Sequence, residues 1–232
     1  MAHSKNETIT VAWCDGGYTD GLFTEGLIRT FFTTRAPLRG IFRIPGSQIS
    51  RQRQGILDLW YDDEKSTDWL LWIDSDIELT SEALDKVWDA ADKFTHPIVT
   101  GIYFVSLDKE GDMQNPQACI FYQNKESEYQ MNPIWPIPEN QLLQIDYSGM
   151  GFVLMHRSVV TKLREIFPNG FMFEEEQNPG EKFVGEDINF FKKIKNAQIP
   201  VYAHTGAMVR HIKRFALSFD YTKKFMEEKN GI

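Results

Sequence analysis

Asp74 and Asp76 stand one residue apart in the stretch DWLLWIDSDIELT, residues 68–80, directly after a continuous apolar run. In an extended chain residues i and i+2 point to the same side, so the two carboxylates converge on one object if strand geometry persists through them. Paired hard oxygen ligands beside open space suit Mg2+ or Mn2+, which keep several waters and complete their shell with substrate phosphates. The alternative is that both aspartates merely carry the chain out of the core, with Asp76 or its neighbours capping the next helix. Further along, Glu186 and Asp187 in VGEDINFF open a helical pattern. A carboxylate there can act as a general base or simply favour the positive end of the helix, and the two roles are compatible.

These residues need elements to hold them. TITVAWC, residues 8–14, reads as a buried strand that ends at the turn DGG. GLFTEGLIRTFF predicts a helix with Leu22, Ile28 and Phe31 or Phe32 facing inward, and a short strand follows from Gly40 to Ile44. From Ser47 a helical pattern places Ile49, Ile56, Leu57 and Trp60 on one face, with Arg51 and Arg53 projecting elsewhere. DWLLWID has the pattern of a central strand covered on both faces, and residues 80–94 predict a helix capped by Thr80 or Ser81. HPIVTGIYFV is a further strand, whereas residues 106–144 are polar and proline-bearing, an insertion with a hairpin around Ala118 to Tyr122. IDYSGMGFVLMHR and IPVYAH predict strands, SVVTKLREIF and INFFKKIKNA helices, and RFALSFDYTKKFMEEKNGI a surface helix. Strands alternating with helices predict an α/β fold with a central, mainly parallel mixed sheet flanked by helices.

The 232 residues suffice for one substantial core, and 42% hydrophobic residues with 13% aromatics describe a globular chain. A formal charge of −8 argues against affinity built on neutralising many phosphates. Cys14 and Cys119 lie in no CxxC pair and read as buried apolar fillers in a reducing compartment. No signal-like or membrane-length apolar run occurs, so a cytoplasmic protein without stable membrane insertion is expected.

Taken in order, VAWCDGG, SRQRQGILDLWYD, LLWIDSDIEL, YSGMGFVLMHR, GED at 185–187 and MVRHIK resemble the GT-A-fold, family-2-like glycosyltransferases that use nucleotide-sugar donors. The resemblance implies one GT-A-like, Rossmann-like domain over 1–232. Residues 1–105 would form the nucleotide-sugar-binding half, 106–215 the acceptor-binding and catalytic half, and 216–232 a tail. It implies that Asp76 coordinates the metal directly and that Asp74 contacts ribose or metal, in a DxD motif. His211, with His204 as the rival, would complete the metal shell, and an imidazole ligand favours Mn2+ over Mg2+. Asp187 would be the general base of an inverting displacement, with Glu186 orienting the acceptor or exchanging roles with it. Asp15 would lie over the base or ribose, and Arg53, or less favourably Arg51, would face the nucleotide; a solvated helix face is the alternative for both arginines. The family often shows Arg-Asn here, whereas Arg53 is followed by Gln54.

Gly149 and Gly151 would admit a sugar close to the backbone, or mark a bulge. Trp135, between prolines, could stack on a sugar or pack against the domain, and the acidic run Glu174 to Glu176 is a solvated loop or part of a lid. The acceptor is left open among a protein, a glycan and a modified nucleic-acid base.

Three other readings compete. A haloacid-dehalogenase-type phosphatase also uses aspartates at i and i+2, but it expects threonine or valine where Glu78 stands and usually places the motif near the N-terminus. A nucleotidyltransferase would carry basic residues in its first glycine-rich loop, which CDGGYTDG lacks. A non-catalytic carbohydrate-binding domain could use the same scaffold.

Overall fold

The computed structural model describes residues 6–63, 65–106, 116–124, 131–168, 170–176 and 184–213, with residues 223, 226 and 229 of the tail. Most of the expected tail helix and most of the lid segment after Glu176 fall outside the described residues.

In chain order, strand β1 (Ile9–Asp15) leads to helix α1 (Gly21–Thr33), and strand β2 (Leu38–Pro45) to helix α2 (Ile49–Asp62). Strand β3 (Trp69–Ile73) leads through the short strand β4 (Ile77–Glu78) to helix α3 (Ser81–Ala90). Strand β5 (Ile98–Ile102) is followed by the short strands β6 (Phe104–Ser106), β7 (Pro116–Ala118), β8 (Ile120–Gln123), β9 (Met131–Pro133), β10 (Leu142–Ile145) and β11 (Tyr147–Ser148). Strand β12 (Phe152–His156), helices α4 (Arg157–Ile166) and α5 (Glu186–Asn196), and strands β13 (Val201–Met208) and β14 (Arg210–His211) complete the order.

Seven strands form the central sheet in the order β10-β13-β5-β12-β3-β1-β2. β1 is parallel to β2 and β3, and β13 to β5, while β12 and β10 run antiparallel to their neighbours. The sheet is therefore mixed and mainly parallel. Because alternate side chains leave opposite faces, β1 and β3 feed two cores. Ala12, Leu70 and Trp72 pack with Ile56, Leu57 and Trp60 of α2 and with α4 and α5; Val11, Trp69, Leu71 and Ile73 pack with α1 and α3. All five residues of β3 are buried, as a strand covered on both faces must be. Among the described residues no helix is long and apolar enough to cross a membrane.

Several local expectations change. Helix α1 buries Phe23, Gly26, Leu27 and Thr30, and Leu22, Ile28 and Phe32 face outward at 46%, 55% and 85% exposure. The helix has apolar residues on two sides, and the side whose small Gly26 and Thr30 fit against Leu79 packs inward. Helix α3 begins at its Thr80 cap but stops at Ala90, where Asp92 and His96 close a bridge with each other. Around Ala118 to Tyr122 the chain supplies arms to two antiparallel pairs of consecutive strands, β7 with β6 and β8 with β9, and β8 also pairs with β11; β7 and β8 do not pair with each other.

Candidate active site

The carboxyl ends of parallel strands are where an open α/β sheet leaves a crevice for ligands. Asp15 closes β1, Asp74 follows β3, and the backbone N–H of Asp74 donates to Gly151 O (3.2 Å) at the start of antiparallel β12. A cavity of about 370 Å³ opens at this edge, lined by Cys14, Asp15, Gly46, Gln52, Asp74 and Asp76 among others. Burial pushes the Cys14 thiol up to about 12, so it is an inert apolar wall.

Strand geometry does not persist through the paired aspartates. β3 ends at Ile73, and a turn closes with Ile77 N–H donating to Asp74 O (3.0 Å). The two carboxylates line one cavity but have different partners. Asp74 accepts from Arg53 Nη2 (2.9 Å), whereas Asp76 Oδ2 faces His211 Nε2 (3.0 Å) and Lys213 Nζ (3.3 Å).

His211 reaches Asp76 because β14 pairs antiparallel with β4, setting His211 opposite Ile77, and Ile212 N–H donates to Asp76 O (2.7 Å). His211 Nδ1 lies 2.8 Å from Phe104 O. A carbonyl only accepts, so Nδ1 carries a hydrogen; Nε2 donates to Asp76 when the ring is protonated and offers its lone pair to a cation when it is neutral. Burial pushes the Asp76 carboxyl up, but the hydrogen bond and charge of His211 and the charge of Lys213 outweigh it and hold it below the usual range. His204 is elsewhere: it sits on β13, its Nδ1 accepts from Gly206 N–H (3.2 Å), and Lys86 and Asp89 are charged neighbours.

Among the described residues no set of three His, Cys, Asp or Glu side chains is gathered to hold a metal. Asp76 with His211 nevertheless fits a divalent ion that takes its other ligands from water and phosphate. The carboxylate oxygen and the oriented imidazole nitrogen adjoin each other at 3.0 Å, and the imidazole has the carbonyl partner typical of a metal-binding histidine.

Helix α5 brings a second acidic pair. Gly185 is its N-cap, Glu186 and Asp187 form its first turn, and Asp187 Oδ1 accepts from Ile188 N–H (2.7 Å). Burial raises the Asp187 carboxyl; Arg53 opposes this and the charge of Asp74 adds to it. Glu186 is likewise raised by burial, against the pull of Arg53, with which it is hydrogen-bonded. A carboxylate raised this way is the better proton acceptor.

Arg53 is buried, at 4% exposure, rather than projecting from a solvated face, and it bridges Asp74 and Glu186. Arg51 is exposed on the same helix. Asp15 has all four acceptor positions filled, by Arg43 Nε (2.6 Å) and Nη2 (2.8 Å), Trp13 Nε1 (3.0 Å) and Gly17 N–H (2.7 Å). It holds the rim of the cavity in shape.

Gly149 and Gly151 make room for Tyr103 rather than for a ligand. A Cβ at 149 would run into Tyr103 Oη and Cys119 Sγ, and one at 151 would stand 2.7 Å from Tyr103 Cζ. Trp135 does not pack against the domain; it is 78% exposed. Lys213 and Gln52 also belong to the site, although no motif singles out either residue. Gln52, at 7% exposure, donates to Asp15 O (3.0 Å) and Ile44 O (2.6 Å).

No protein-family model matches the chain, and no curated protein matches it. Solved structures do. One is A197 from STIV, at 15% identity and TM-score 0.54, covering 89% of this chain and 86% of that one. Another is GalNAc-T7 with UDP, GalNAc and Mn2+, at 12% identity and TM-score 0.51, covering 92% of this chain. This chain spans 45% of the length of the GalNAc-T7 chain. At such identities the likeness concerns the fold alone, a GT-A-like mixed α/β sheet covered by helices on both faces.

Proposed function

We propose that the protein is a metal-dependent glycosyltransferase that moves a sugar from a nucleoside-diphosphate sugar to an acceptor hydroxyl with inversion. The observation that carries this reading is the arrangement after β3 of a GT-A-like sheet: the Asp76 and His211 pair on one side, and on the other Asp74, which Arg53 ties to Glu186 beside Asp187 in the first turn of α5. The resemblance to family-2-like enzymes and the DxD spacing of Asp74 and Asp76 support it.

Asp76 and His211 would hold Mn2+ or Mg2+, which when bound supplies Lewis-acid stabilisation of the charge on the departing nucleoside diphosphate. Asp187 takes the proton of the acceptor hydroxyl as that oxygen bonds to the anomeric carbon and the bond to the phosphate oxygen breaks. Glu186 keeps Arg53 in place beside Asp74. The cavity lined by Cys14, Gln52 and Asp74 receives the nucleoside.

The phosphatase reading is disfavoured by Glu78, which stands where that family expects threonine or valine. A panel of nucleoside-diphosphate sugars, assayed for release of the nucleoside diphosphate, tests the proposal. Mn2+-dependent release that Asp187→Asn suppresses is expected; steady turnover of a generic phosphate ester in place of the nucleotide-sugar would refute it.

A further inference from the structure

Helix α2 carries three consecutive buried polar residues, each tied to a different part of the site. Gln52 joins the ends of β1 and β2 through Asp15 O and Ile44 O. Gln54 Oε1 accepts from Met172 N–H (2.7 Å) on the segment that precedes α5. Between them Arg53 reaches Asp74 after β3 with one terminal nitrogen and Glu186 in the first turn of α5 with the other. Its side chain is 5% exposed, and those of Asp74 and Glu186 are 32% and 13% exposed. Both terminal nitrogens of the guanidinium therefore point at carboxylates of the protein.

We infer that Arg53 is a positioning residue, not a nucleotide contact. It locks the Asp74 turn to the first turn of α5 and so fixes where Asp187 stands relative to the bound donor. The inference rests on the glycosyl transfer proposed above. A planar fork can serve two carboxylates at once in fixed directions, whereas a lysine ammonium is a single point charge. Arg53→Lys keeps the charge that the buried carboxylates need and loses the bridge. Glu186→Gln keeps the shape and weakens the same bridge from its other end.

The test measures, for wild type, Arg53→Lys, Glu186→Gln and Asp187→Asn, the Mn2+-dependent affinity for UDP or GDP by calorimetry and the turnover of the matching nucleotide-sugar. The inference predicts that Arg53→Lys and Glu186→Gln bind the nucleotide within about threefold of wild type, while kcat falls roughly a hundredfold, the scale of a misplaced reacting group. Thermal melts identify a variant that fails to fold, in which case the other variant decides. Unchanged kcat in a folded variant of an active enzyme overturns the positioning role and leaves glycosyl transfer standing. Loss of affinity equal to the loss of turnover makes Arg53 a nucleotide contact and also overturns it. A wild type that neither binds nor turns over any donor removes the reading on which the inference depends.

Discussion

His211 Nε2 stands 3.0 Å from Asp76 Oδ2, although the two residues are 135 positions apart in the chain. The contact is built by backbone pairing: β14 lies antiparallel to β4, and the other rung of that pair sets Arg210 against Glu78. The imidazole is fixed from its far side by Phe104 O. The arrangement is thus set by backbone pairing, the preorganisation that the proposed metal site would need.

The raised carboxyl of Asp187 has a kinetic consequence. As the proposed base it would work only when ionised, so activity should fall as pH drops through its folded value, which burial holds above the ordinary 3.8. The acid limb of the kcat profile should therefore lie above that of an ordinary aspartate. Asp187→Asn should cost roughly a hundredfold or more in kcat and abolish that limb, with donor affinity retained. Steady-state kinetics across pH checks this.

Asp15 should control acid stability. The Arg43 hydrogen bond, against the opposing effect of burial, lowers its carboxyl below 3.8. A lowered carboxyl contributes stability that is present above the unfolded value and is lost as pH falls through the folded one. Asp15→Asn should therefore melt below wild type at neutral pH, and the gap should close well under pH 3.8. Thermal melts at several pH values read the difference directly.

Gly149→Ala should destabilise by about 1–3 kcal/mol, the usual cost of overpacking a full core. The added methyl meets Tyr103 Oη and Cys119 Sγ. Tyr103→Phe removes one of those atoms, so the double variant should recover part of the loss relative to Tyr103→Phe alone. Denaturant unfolding of the four chains gives the coupling; strict additivity would contradict the packing account.

The alternation of strand and helix, the fully apolar β3, the Thr80 cap and the acidic start of α5 are all local signals, and each could be read from the residues that form it. The position of Asp74 and Asp76 at a sheet edge followed from the apolar run before them. What the residues did not disclose depends on distant contacts. Arg53 sits in a polar helical stretch that resembles a solvated face, and it becomes interior only because Glu186 closes over it from 133 positions away. Gly149 and Gly151 look like openings for a ligand until Tyr103 is seen to fill them. Helix α1 has apolar residues on two sides, and periodicity alone does not choose between them. Lys213 gave no signal, since a lone lysine near the end of the last strand is unremarkable without Asp76 beside it.

The most direct measurement is a titration of Mn2+ into the protein with UDP or GDP, followed by electron paramagnetic resonance, for wild type, Asp76→Ala and His211→Ala. Wild type should bind the ion in the presence of one of these nucleotides, each variant should lose at least roughly tenfold in affinity, the usual scale for a deleted ligand shell partner, and circular dichroism should show both variants folded. Binding of equal strength in all three proteins, or none in wild type with either nucleotide, would contradict a metal held between Asp76 and His211.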